Sequence, residues 1–214
     1  MKKQLKFLLV IAIQIVSMST TFAQEQEAYG VKPGLTTTKA KEARHNAIKV
    51  RFMSPVFGHL GFSYEHITKP NQSYELDLGF IGISTSPEVN GNETGAYFGL
   101  GYKLMSSPDF GGDKARTHAL QGWYLKPQVM LSTFTRRNSE FASEKGSVFS
   151  GALLVNGGKQ WVFGGRIVLD IFAGLGFGFT TEGERFIGTQ NYSYTLLEES
   201  NLALTTGIKL GFAF

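Results

Sequence analysis

From residue 46 to residue 214 apolar and polar positions alternate with period two in eight segments, separated by residues that turn a chain. The first, 46–54, sets Ile48, Val50 and Phe52 against Lys49, Arg51 and Met53. The second, 59–66, sets Leu60, Phe62 and Tyr64 against Gly61, Ser63 and Glu65. Segment 73–84 sets Tyr74, Leu76, Leu78 and Phe80 against Glu75, Asp77, Gly79 and Ile81, and segment 95–105 sets Ala96, Phe98, Leu100, Tyr102 and Leu104 against Tyr97, Gly99, Gly101 and Lys103. In the fifth, 122–134, Trp123, Leu125, Val129 and Leu131 oppose Tyr124, Lys126, Gln128 and Met130. Pro127 interrupts it and has no N–H for a ladder, so a bulge is expected there. The sixth, 147–162, puts Phe149, Leu153, Val155 and Trp161 on one face if Lys159 snorkels. The seventh, 166–179, opposes Ile167, Leu169, Ile171, Ala173, Leu175 and Phe177 to Arg166, Val168, Asp170, Phe172, Gly174 and Gly176. In the last, 202–214, Leu202, Leu204, Thr206, Ile208, Leu210, Phe212 and Phe214 form one face, with Ala203, Thr205, Gly207, Lys209, Gly211 and Ala213 on the other.

Between the segments, 55–58, 69–71 and 163–165 read as tight turns, and 87–92, 106–121, 136–146 and 180–201 as polar loops. No helical period competes. The pattern predicts eight antiparallel strands joined by hairpins, an all-β up-and-down barrel. High glycine (26) and phenylalanine (18) with only 6 prolines in 214 residues suit such a chain better than packed helices.

The N-terminal stretch is different. Lys2, Lys3 and Lys6 precede the apolar run 7–16, and small residues lead to Thr21-Phe22-Ala23, the pattern of a secretory signal ending at residue 23. Residues 24–45 show no sustained period and read as a flexible periplasmic lead-in. Removal of the leader takes three positive charges from the formal net charge of +4, leaving +1, so no case for nucleic-acid binding survives. The chain has no cysteine, which excludes disulfides and a lipid anchor on the leader. After the leader there is no apolar run of about 18 residues, the length a transmembrane helix needs.

The direction of the barrel follows from where charge and aromatics fall. The polar faces carry Lys49, Arg51, Lys103, Lys126, Arg166 and Lys209 with Glu65, Glu75, Asp77 and Asp170, interleaved with glycine as though space were tight. With the N-terminus in the periplasm, Tyr64, Tyr74, Tyr102, Trp123, Trp161, Phe212 and Phe214 gather on the apolar faces near the periplasmic rim, an aromatic girdle. That predicts a transmembrane β-barrel with its apolar face outward, since only a closed barrel satisfies every strand's backbone in lipid. The closing strand with its terminal Phe resembles that of bacterial outer-membrane barrels, which implies outer-membrane lipids and the barrel-insertion machinery as partners. The span 46–214 resembles the small eight-stranded OmpA/OmpX-type proteins. N-A-I-K-V at 46–50, S-Y-E at 63–65, L-Q-G-W-Y-L-K-P at 120–127 and G-K-Q-W-V-F at 158–163 are similar to DUF3575-type outer-membrane barrel proteins, a resemblance that implies a fold and a location but no catalytic motif.

The candidate chemistry is sparse. The six inward cations and four inward anions cannot stay unpaired in a lumen just wide enough to be filled by side chains, so a structural charge network plugging it is expected. The alternatives are a passive pore, if inward Gly99, Gly101, Gly174, Gly176 and Gly207 leave a gap, and a lipid-modifying enzyme. For the latter, of His45, His59, His66 and His118 only His59 lies near the outer end, with Ser54 and Ser63 nearby in sequence but no acid at a fitting spacing. No cofactor or metal-ligand motif appears. The long loops 136–146 and 180–201 are where an extracellular ligand would be met, though their composition names none.

Overall fold

The computed structural model describes residues 44–83, 93–106, 118–137, 145–181, 193–197 and 201–214. The expected leader, residues 24–43 of the lead-in and the middles of the polar loops lie outside the described residues. Among the described residues are β1 (Asn46–Arg51), β2 (His59–Lys69), β3 (Gln72–Ile81), β4 (Thr94–Met105), β5 (Gly122–Arg137), β6 (Lys145–Phe163), β7 (Ile167–Thr180), a two-residue β8 (Thr195–Leu196) and β9 (Leu202–Ala213). Each long strand is antiparallel to its sequence neighbour, and β9 pairs with both β7 and β1. The sheet therefore closes on itself as an eight-stranded up-and-down antiparallel barrel. The seam runs from Ala47↔Ala213 to Arg51↔Lys209 and is tied at its end by Asn46 N–H donating to Phe214 O (3.1 Å) and Phe214 N–H donating to Asn46 O (2.8 Å). Closure removes the edge strands that would otherwise invite pairing with other chains.

The faces fall as the alternation predicts, with the apolar side outward. Ile48, Phe62, Leu78, Phe98, Leu125, Leu131, Leu153, Ile171, Leu175, Leu204 and Leu210 are exposed, while Lys49, Lys103, Lys126 and Lys209 are fully buried. The interior is layered. At the end where β1 begins and β9 ends, Ala47, Ile67, Leu120, Val168 and Ala213 pack together. Toward the other end Ile81, Tyr97, Met130, Phe134, Val148, Ala152, Leu154, Tyr194, Leu196 and Ala203 form a larger apolar layer. The buried charges lie between the two.

Three local expectations are corrected. β1 stops at Arg51, and residues Ser54–Phe57 form a 3-10 turn. Pro55 has no N–H to extend a ladder, and Ser54 Oγ splices the break by donating to Arg51 O (2.7 Å) and accepting from Gly61 N–H (3.2 Å). No bulge forms at Pro127. Gly101↔Gln128 and Leu104↔Leu125 keep one register on either side of it, and Pro127 itself pairs regularly with Val155. The strand thus accepts a missing N–H on the β4 side without inserting a residue. The loop 180–201 is also more than loop: β8 pairs Thr195↔Leu204 and Leu196↔Ala203 along the edge of β9 that the short β1 leaves uncovered, and Tyr194 and Leu196 turn into the lumen. At the β6–β7 turn Gly164 (φ 57) and Gly165 (φ 68) adopt the two positive φ values of a type I′ hairpin, closed by Arg166 N–H donating to Phe163 O (3.1 Å).

Inward glycines make room for large neighbours. A Cβ on Gly79 would lie 2.0 Å from Tyr97 Cζ, and one on Gly61 would lie 2.2 Å from the Tyr97 hydroxyl, so Tyr97 lies across both strands. Gly101 accommodates the Lys126 stem (2.8 Å) and Gly207 the Phe172 ring (2.8 Å) in the same way. Gly79→Ala should therefore overpack this layer and destabilise the barrel by about 1–3 kcal/mol. Adding Tyr97→Leu should recover much of the loss, and urea unfolding of refolded protein followed by tryptophan fluorescence measures both.

Candidate functional site

The period-two alternation of seven different strands aims the charged residues at one level of the lumen. Lys49 on β1, Glu65 on β2, Glu75 and Asp77 on β3, Lys103 on β4, Lys126 on β5, Asp170 on β7 and Lys209 on β9 meet there, all buried. Glu75 is the hub. Its Oε1 accepts from Lys126 Nζ (2.6 Å) and Lys209 Nζ (2.8 Å), while its Oε2 faces Lys103 Nζ (2.9 Å) and, in close contact, Lys49 Nζ. Lys49 also donates to Glu65 (2.6 Å) and Asp170 (3.0 Å), and Lys103 to Asp170 (2.8 Å), with its ammonium 3.2 Å from Glu65. Lys209 completes the group by donating to Asp77 Oδ1 (2.6 Å).

Neutral groups fill the remaining valences. Ser73 Oγ donates to Glu65 (2.6 Å) and Tyr124 OH to Asp170 (2.6 Å). Ser63 Oγ and Gln128 Nε2 donate to Asp77, and Asn156 Nδ2 donates to Gln128 Oε1 (2.8 Å). Gln160 Oε1 on β6 accepts from Lys103 (2.9 Å) and Lys49 (3.2 Å). Aromatic faces shield the ammonium groups: Lys103 Nζ lies 4.2 Å from the Tyr124 ring centre, and Lys126 and Lys209 lie 5.4 Å and 5.2 Å from that of Phe172. Hydrogen bonds and opposite charges at this density are what let ions persist out of water.

Two of the expected members stand apart. Arg51 is buried but sits toward the larger apolar layer, its guanidinium 6.0 Å from the Tyr97 ring centre and 5.4 Å from that of Phe172, with Nη1 donating to Ser193 O (3.4 Å). Arg166 has the inward parity of Val168 and Asp170, yet it lies in the hairpin turn beyond the end of the wall and is exposed to solvent. The set that meets is therefore Lys49, Lys103, Lys126 and Lys209 against Glu65, Glu75, Asp77 and Asp170, four charges of each sign.

Glu65, Glu75 and Asp170 place carboxylate oxygens within 4.8 Å of one another, a spacing a metal ion could bridge. Lys49 and Lys103 each touch all three, so ammonium groups already hold the positions a metal would take. His59 is buried on the inner face with its ring edge-on to Tyr97 at 5.6 Å. Its sequence neighbours Ser54 and Ser63 commit their hydroxyls to Arg51 O and to Asp77.

The aromatic residues gather at one end of the barrel. The ladders Ile48↔Phe212, Ile48↔Tyr64, His66↔Tyr74 and Tyr74↔Tyr102 bring them to the rim where β1 begins, and Trp123↔Lys159 and Trp161↔Leu169 continue it. The rings of Tyr74 and Tyr102 pack tilted against each other, their centres 4.8 Å apart. Their hydroxyl-bearing neighbours find local partners, Tyr64 OH donating to Asn46 Oδ1 (2.9 Å) and Tyr102 OH to Gln72 Oε1 (2.6 Å). Sequence reasoning missed a second collar at the opposite end, where Phe52, Phe57, Phe80, Phe149 and Phe179 are exposed. It also missed Leu120, which is buried in the apolar layer at the first rim, and the neutral partners Tyr124, Asn156 and Gln160. Inward parity was the signal for Asn156 and Gln160.

No family model matches the sequence, and no curated protein matches it. The blocks similar to DUF3575-type proteins thus gain no support from a family match. Among solved structures the fold is similar to the crystal structure of the N-terminal β-barrel domain of Pseudomonas aeruginosa OprF, with a TM-score of 0.49 and 14% identity over 81% of this chain and 100% of that one.

Glu75→Gln would leave four ammonium groups around three carboxylates, and the buried excess charge should cost about 3–5 kcal/mol. Arg166→Gln, at the solvent-exposed rim, should change stability by less than about 0.5 kcal/mol. Thermal unfolding followed by circular dichroism separates the two. In a second cycle, Asp77→Leu combined with Lys209→Met should be less destabilising than either change alone, because the double variant leaves less unpaired charge.

Proposed function

We propose that this protein is an integral barrel of a bacterial outer membrane, with a closed lumen and no catalytic activity, and that it serves as a scaffold for the loops at the end opposite the Tyr/Trp belt. The exterior supports the membrane placement: a band of exposed Leu, Ile, Val and Phe encircles the wall, and amphipathic aromatics gather at one rim, as a bilayer and its interface demand. The belt end then faces the periplasm, and the ends of β5 at Arg137 and β7 at Thr180 face outward.

The observation that carries the closed-lumen reading is the stacking of the interior, in which a charge-balanced layer lies between two apolar ones. An ion crossing it would have to displace lysines already held by carboxylates and then pass packed Ile, Leu, Phe and Met side chains. Side chains of Met130, Lys126, Asn156 and Phe172 occupy the space beside Gly99, Gly101, Gly174 and Gly207, which weighs against a path beside those four glycines. The hydroxyl commitments of Ser54 and Ser63 weigh against a serine hydrolase at His59.

Planar-bilayer recording tests the reading. Refolded protein should insert without discrete conductance steps. Reproducible unitary steps would overturn the closed lumen and put a pore in its place.

A further inference from the structure

The lysines and acids of the central layer cancel four against four, and Arg51 is buried beside them as a fifth cation. Among the described residues no carboxylate forms an ion pair with it. The acids of the neighbouring layer are committed elsewhere: Asp77 accepts from Lys209 (2.6 Å), Ser63 and Gln128, and both oxygens of Glu75 are shared among lysines. What Arg51 does touch is neutral. Its Nη1 donates over 3.4 Å to Ser193 O, a carbonyl that also accepts from Thr205 Oγ1 (2.9 Å), and its guanidinium lies over the rings of Tyr97 and Phe172. Ring faces attract a cation without cancelling its charge. One long hydrogen bond uses little of a guanidinium's donor capacity, and a charge kept from water needs a partner of opposite sign.

Tyr97 supplies a second donor without an acceptor. It is buried on β4 (3% exposed), and among the described residues its hydroxyl has no hydrogen-bond partner. A Cβ built on Gly61 would lie 2.2 Å from that hydroxyl and 3.4 Å from Arg51 Cβ, so the phenol and the arginine stem meet over the same bare glycine. The His59 ring stands edge-on to this tyrosine at 5.6 Å. The group sits where β1 stops, at the end of the lumen away from the Tyr/Trp belt. A guanidinium and a phenol O–H converge there with no acid between them, an arrangement that favours negative charge.

From this pairing we infer that Arg51 and Tyr97 bind a small monovalent anion of halide size in the outer part of the lumen. The charge count sets the valence: one negative charge brings the buried groups to neutrality, and a dianion would only reverse the imbalance. Packing sets the size. The surrounding layer is filled by Ile81, Met130, Phe134 and Leu154, and so dense an interior admits a single atom more readily than a phosphate or a sugar acid. The anion accepts from the guanidinium and from the phenol O–H, and it stops short of the lysines, so its binding requires no path through the barrel.

Chloride is the probe. The refolded full chain is unfolded in urea in mixtures of sodium chloride and sodium gluconate at constant ionic strength, followed by tryptophan fluorescence. An anion held only by the folded barrel should lower the unfolding equilibrium constant by about tenfold for each tenfold rise in chloride beyond the dissociation constant. Tyr97→Phe keeps the ring and removes the O–H, so its response should begin at roughly tenfold higher chloride, the loss expected for one hydrogen bond to a charged group. Arg51→Met should unfold with one constant in every mixture. An unfolding constant of the unaltered protein that ignores the chloride fraction would overturn the inference. So would a chloride dependence that survives in Arg51→Met, the mark of a general salt effect. Should Arg51→Met fail to fold, Tyr97→Phe decides, and an onset at the same chloride as in the unaltered protein overturns the site.

Discussion

The interior of this barrel is governed by charge neutrality. Ammonium and carboxylate groups placed behind a wall of low polarizability cannot each retain a hydration shell, and the effective cost of stripping one ion is several kcal/mol. Four lysines and four acids at one level cancel, and Glu75 shows how closely: both of its oxygens are shared between ammonium groups, so none of the lysines depends on a single acid. Serine, glutamine, asparagine and tyrosine take up the valences left over. The apolar layers above and below keep water from competing for those bonds.

The wall and its filling are consequences of each other. An eight-stranded sheet encloses a space only as wide as its own side chains, so each large inward residue needs a small one opposite. Tyr97 lies over Gly61 and Gly79, and Phe172 lies against Gly207. The shortness of β1 is handled in the same spirit: Ser54 joins Arg51 to Gly61 across the break, and β8 occupies the length of β9 that β1 does not reach. Thr205 Oγ1 donates to Ser193 O (2.9 Å) and so fastens that segment to β9 as well.

Most of the wall was legible in the sequence because its signal is strictly local. A period-two pattern gives the strand, the face and, once the barrel is closed, the residues that share the lumen, and the eight network charges were identified from parity alone. What parity does not encode is height along the axis. Arg166 has inward parity but sits past the wall, and Arg51 lies one layer away from the lysines. The cost of a single missing N–H is likewise not encoded: Pro127 reads as a bulge site, but the regular ladder to β6 holds the strand in register. Tyr194 and Leu196 escaped notice because two alternating residues are too few to announce a strand, and their burial comes from contacts with distant strands. Leu120 was hidden in a connection rich in polar residues.

The network draws on β1, β2, β3, β4, β5, β7 and β9, and β6 joins it through Gln160, so every stave of the barrel contributes a group to the same small volume. Its bonded partners are separated by up to 134 residues, as in the contact of Lys209 with Glu75. The balance is completed late: β1 to β5 bring three lysines to three acids, Asp170 of β7 then adds a fourth acid, and the lysine that answers it, Lys209, comes only with β9. A sheet zipped from β1 to β7 therefore carries one acid in excess, which the arrival of the last strand relieves. The centre of the lumen thereby rewards closure of the wall, a long-range pairing of the kind that forms slowly.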